Sequence, residues 1–152
     1  MNKPVDHIWE FQSKLSGHLL LWSMISIFCG LILHFPRNPF ANGMGVQFSA
    51  WGLIDAIIAV FGDRAAKKRA AQLPDPLANE IIESESQKLY KILLVNTGLD
   101  VGYMFGGSTL ALTKGKNDPG WRGHGIGIII QGAFLFIFDL THLLLIRRKF
   151  RG

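Results

Sequence analysis

Three carboxylates stand in apolar surroundings that offer them no counter-charge. Asp55 lies in "AWGLIDAIIAV", Asp100 in "NTGLDVGYMF" and Asp139 in "LFIFDLTHLLL", and no Lys or Arg falls inside these runs. Burying an acidic side chain among apolar residues is costly, and more so if it is ionised and unpaired. Such a group must hold a proton, meet a cation or accept hydrogen bonds from its neighbours. Asp55 is nine residues before Arg64, Asp100 nine after Lys91, and Asp139 eight before Arg147. At about 1.5 Å per helical residue, each lies roughly 12–14 Å from a basic flank. Three carboxylates on three helices are therefore expected in one layer.

Helical phase supplies their companions. Asn96, Asp100, Tyr103 and Gly107 fall within roughly 60° of arc, while Gly98, Gly102 and Gly106 run G-x-x-x-G-x-x-x-G on nearly the opposite side. Small residues at that spacing let helix backbones approach, so this stripe is expected to be a packing face. Gln131, Phe138 and His142 share a face with His124, and Asp139 lies beside them; Gln47, Trp51 and Asp55 form an i, i+4 stripe. The candidate ligand or cation residues are Asp55, Asp100, Asp139, Asn96, Tyr103, Gln131 and His142. Three readings stay open for them: a structural hydrogen-bond network, a bound cation or proton relay, and a layer facing a subunit interface or pore. No particular metal is implied.

Other chemistry is thinly represented. His18 and His142 belong to one end of the expected bundle, His34 and His124 to the other. Paired histidines raise the question of haem, but His18 and His34 sit about 160° apart on one helix, so both pairs cannot face across a bundle. Ordinary hydrogen bonds are the better reading, and no other cofactor is indicated. His7 belongs to a solvent-facing or interfacial segment. Cys29 is the only cysteine, so no intrachain disulfide can form. There is no nucleophile elbow, phosphate-binding loop, H-E-x-x-H or C-x-x-C. The balance is against an enzyme.

The elements that must position these residues follow from composition. Of 152 residues, 49% are hydrophobic and 18% charged. Four stretches approach the roughly 20 apolar residues that a membrane-crossing helix needs: about 16–35, 46–62, 92–113 and 125–146. Residues 1–15 are expected to form a short interfacial helix. "PRNPFANGMG" (36–45) reads as a tight turn, and 63–91 as a loop in which Asp75–Pro76 starts a helix that continues into the third span. Trp121, in the second turn, suits interface depth. No cleavable leader or lipidation motif is expected.

The net charge of +5 is placed beside spans, which excludes nucleic acid as the natural partner. Twelve of the sixteen Lys and Arg residues fall on one side of the four-span arrangement, including Lys3, Arg64–Arg69 and Arg147–Arg151. By the positive-inside pattern that side is cytoplasmic, and both termini lie on it. A faint repeat joins the second and fourth spans, each with Gln eight residues before Asp and Arg nine after it (Gln47–Asp55–Arg64 and Gln131–Asp139–Arg148). The fold class expected is all-α: a polytopic membrane four-helix bundle of two helical hairpins, forming a single integral membrane domain over 1–152.

"LLVNTGLDVGYMFGG" together with "GHGIGIIIQGAFLFIFDLTH" resembles a family of small, uncharacterised bacterial membrane proteins with four predicted helices, a domain of unknown function. The likeness rests on Asn96, Gly98, Asp100, Gly102, Tyr103, Gln131, Gly132, Phe138 and Asp139. It implies the topology and the bacterial inner membrane as location, and no activity. With the lipid bilayer as surroundings, the expected role is proton or cation binding or conduction by the acidic layer in a homo-oligomer. The alternative is an accessory subunit of a larger membrane complex.

Overall fold

The structure, a computed structural model, describes residues 7–150. Lys3 and Arg151, which enter the charge asymmetry, and the first six residues of the expected interfacial segment lie outside that range. The regular structure described is helical throughout: α1 (Ile8–Leu33), α2 (Pro39–Gln72), α3 (Asn79–Leu112), a 3₁₀ turn (Lys114–Lys116) and α4 (Pro119–Phe150). α1 packs along α2 and α3 along α4, so the chain forms two hairpins, which meet chiefly through α2 and α4. One end of the bundle carries the basic clusters; the other carries the two short turns between paired helices.

Helix boundaries differ from expectation for local reasons. Residues 8–15 are not a separate interfacial piece but the first turns of α1. Ile8 and Phe11 are buried there against Leu93, Leu143 and Ile146. The Trp9 indole N–H donates to the Pro76 carbonyl at 2.8 Å, tying this start to the loop. α2 begins at Pro39, inside the expected turn, because Asn38 Oδ1 accepts from the backbone N–H groups of Phe40 (2.9 Å) and Ala41 (3.4 Å). Proline with its fixed φ suits the first helical position. Asp118 and Pro119 start α4 in the same way, with Gly120 N–H at 2.7 Å from Asp118 Oδ1. Asp75, expected to cap α3, instead accepts from Leu77 N–H at 3.0 Å in a turn of its own, and the helix starts at Asn79.

α1, α2 and α4 are long and apolar enough to cross a membrane. α3 falls short because Asn96, Asp100, its glycines and its hydroxyl residues dilute its apolar content. Large apolar side chains crowd the surface while several polar ones are buried. Leu21, Phe28, Leu53, Phe61, Phe105 and Ile137 are exposed, whereas Ser23, Ser26, Ser86 and Gln131 are wholly buried.

Glycines bring the helices together at the turn end. A Cβ on Gly43 would lie 2.3 Å from the Gly120 carbonyl oxygen, and one on Gly123 2.1 Å from that of Phe40, so α2 and α4 touch backbone to backbone. Gly107 and Gly125 do the same between α3 and α4, at 2.7 and 2.6 Å from each other's carbonyl oxygen. The expected packing stripe is elsewhere: a Cβ on Gly98, Gly102 or Gly106 would meet nothing within 4 Å. Turning Asp100 inward brings Gly107, two helical turns on, into the contact and rotates the G-x-x-x-G face outward.

Candidate functional site

Asp55 on α2, Asp100 on α3 and Asp139 on α4 converge on the interior, exposed by 3%, 3% and 7%. The carboxyls of Asp100 and Asp139 lie close enough to interact, and Asn96 stands beside Asp139 on the same cavity. Two neighbouring carboxyls can hydrogen-bond to each other only where one of them holds a proton, because an ionised carboxylate has no donor. Oδ2 of Asp55 and Oδ2 of Asp100 are buried without any hydrogen-bond partner. Such atoms are uncommon in folded proteins because an unsatisfied buried polar group carries its full desolvation cost.

The three carboxyls line a cavity of about 150 Å³ with Asn96, Tyr103 and Trp51. At about 30 Å³ each, it has room for a few water molecules. Tyr103 packs its ring edge-on against Trp51, with centroids 4.8 Å apart, which bridges α3 to α2 at this level. Among the described residues, no three His, Cys, Asp or Glu side chains are grouped so as to hold a metal ion. Toward the basic end, a larger cavity of about 440 Å³ shares Asn96 and Asp139 with it.

Gln131 and His142 are placed apart from this cavity. Gln131 accepts from the Trp22 indole N–H at 3.2 Å and donates to Ser26 Oγ at 2.6 Å. Ser26 in turn donates to the Phe48 carbonyl at 3.1 Å, so this network ties α1, α2 and α4 together. His142 Nδ1 bonds the Phe138 carbonyl at 2.7 Å, and its ring lies 4.2 Å from that of Phe138 and 6.0 Å from that of His18. His34 pairs with Asn42, and His124 with Gln47 at 3.0 Å. The histidines thus divide among separate local contacts.

One cluster escapes a reading of the sequence. Glu85, only 5% exposed, accepts from Lys88 at 2.9 Å and from Arg69 at 3.2 Å, and Arg69 also reaches Gln12 at 3.5 Å. Burial works to raise the Glu85 pKa, but the Lys88 hydrogen bond and the Arg69 and Lys88 charges outweigh it and hold the carboxyl below its ordinary value. The i, i+3 spacing of Glu85 and Lys88 is visible in the sequence; the approach of Arg69 from another helix is not.

No curated protein and no solved structure matches the chain. A family model does match, over residues 18–140, which include the three carboxylates and the glycine contacts between the helices. The chain belongs to this family, DUF6992, a family of unknown function.

Proposed function

We propose that this is a polytopic membrane protein of the bacterial inner membrane, with four spans and both termini cytoplasmic, whose acidic layer holds and passes protons. The apolar exterior and the polar residues buried among the helices support the membrane setting. α3 is included among the spans because it lies along α4, with Gly107 against Gly125, and a Cβ on Gly132 would lie 3.2 Å from the Asp100 carbonyl oxygen. If α4 crosses, α3 shares its depth. Its polar residues are tolerable there because Asp100 turns toward Asp139 rather than toward lipid.

The observation that carries the proton reading is the convergence of three buried carboxyls on one small cavity, with the Oδ2 atoms of Asp55 and Asp100 unpartnered. A carboxyl pair sharing one proton, with a third carboxyl across a small cavity, is a proton-holding group. Infrared spectroscopy of the reconstituted protein tests this. A protonated-carboxyl C=O band is expected, lost in Asp100→Asn and Asp139→Asn, whose proteoliposomes also lose proton flux. No such band in the wild type, or a band and flux untouched by either substitution, would sink the reading.

The bare face of Gly98, Gly102 and Gly106 favours a second reading, in which the chain packs against another membrane helix as an accessory subunit or homo-oligomer. A mass measurement in mild detergent that finds only single chains would count against it.

A further inference from the structure

We propose that the 440 Å³ cavity at the basic end binds one acyl chain of an anionic phospholipid, with the headgroup held by Arg69 and Lys88. This rests on the membrane reading above but not on the proton chemistry. The volume lies within the range of about 300–1,000 Å³ usual for small-molecule sites. Its wall is apolar and built from all four helices: Leu15 and Leu19 of α1, Ile58 of α2, Ile92 and Leu93 of α3, and Phe138 of α4. Asn96 and Asp139 form the polar floor, and Arg69, Glu85, Lys88 and Gln12 the mouth. From Lys88 to Asn96 is eight residues, about 12 Å along the helix, which covers most of the roughly 15 Å of hydrocarbon in one leaflet.

Two features identify the occupant. First, α2 and α3 lack an extended contact, so the cavity opens sideways between them, where Ile58 and Ile92 are 55% and 56% exposed. A chain from the surrounding leaflet can slide in without leaving the apolar phase. Second, the mouth carries two cations against one buried acid. Glu85 satisfies part of Arg69 and part of Lys88, but a guanidinium has five N–H donors and an ammonium three. Both cations extend outward, with side chains 47% and 64% exposed. One positive charge is left over at headgroup level, with Arg64 and Lys68 on the neighbouring turns of α2. That charge complements a phosphodiester carrying no ammonium of its own, and lipids of that kind attract basic segments.

Native mass spectrometry of the full chain, taken from vesicles of equal phosphatidylglycerol and phosphatidylcholine, tests the proposal. One phosphatidylglycerol is expected to stay bound. Gly62→Leu is the filling variant: a Cβ there meets only Ser16 Oγ, at 3.9 Å, so the backbone accepts the change while the side chain grows into the cavity. It should lose the lipid and keep its thermal stability. Arg69→Gln should lower the retained fraction about tenfold. Phosphatidylglycerol remaining on Gly62→Leu would overturn the proposal, as would equal retention of phosphatidylcholine or retention of free fatty acid in its place. If the chain resists extraction by alkaline carbonate, the membrane reading survives such a result; release by carbonate would overturn both.

Discussion

A Cβ added at Gly43, Gly107, Gly123 or Gly125 would strike the backbone of a neighbouring helix, whereas one added at Gly62 meets only the Ser16 hydroxyl, at an unstrained 3.9 Å. The first four lie toward the turn end and the last near the basic end, and the contrast extends to everything around them. At the turn end α2 and α4 touch main chain to main chain. At the basic end the helices stand apart around a 440 Å³ cavity, joined by side chains: the Ile8, Phe11, Leu93, Leu143 and Ile146 cluster and the Arg69–Glu85–Lys88 ion group. The acidic layer sits between the two regimes. The bundle is rigid where nothing need enter and loosely filled where something can.

The sharpest way to break this contrast is Gly123→Ala. Its methyl would lie 2.1 Å from a backbone oxygen, which has no flexible end to move aside. A loss of about 3 kcal/mol is expected from overpacking, read as reduced resistance to denaturing detergent. If Gly123→Ala is neutral, α2 and α4 are not in backbone contact there.

Glu85→Gln probes the other regime and should be milder. Its partners are half exposed, so about 1 kcal/mol is expected near neutral pH. Because the folded pKa of Glu85 is depressed, its contribution is fully present above the unfolded pKa. It is lost as pH falls through the folded value, below the ordinary carboxylate range. Thermal unfolding across acid pH should therefore show the wild type descending toward a Glu85→Gln curve that lacks this limb. Parallel curves would show that the ion group carries no pH-dependent stability.

The smallest effect, and opposite in sign, is expected from Gly102→Ala. With nothing within 4 Å, the substitution should gain about 0.5 kcal/mol from helix propensity alone. A loss instead, accompanied by a smaller mass in mild detergent, would identify that face as an interface between chains.

The acidic layer was legible in the sequence because basic flanks fix depth along a helix, and depth survives folding. Asp55, Asp100, Asp139, Asn96 and Tyr103 all reach the cavity that their depth and phase anticipate. Facing was harder to read. G-x-x-x-G permits close approach without saying which neighbour uses it, and the inward demand of Asp100 gave the contact to Gly107 instead. Gln131 shares polarity with the layer, but its amide is turned to Trp22 and Ser26 instead. Asn38–Pro39 and Asp118–Pro119 resemble turns in composition yet are helix starts. The Arg69–Glu85 pair spans two helices whose separation only the assembled bundle fixes.

The close crossing of α2 and α4 at Gly43 has a mechanical corollary. From Gly43 to Arg69 is 26 residues, a lever arm of about 39 Å. With the crossing as fulcrum, a tilt of only about 5° displaces the far tip of α2 by roughly 3 Å. The glycine joint itself scarcely moves. The Arg69–Glu85 ion pair, tying that tip to α3, would oppose such a tilt.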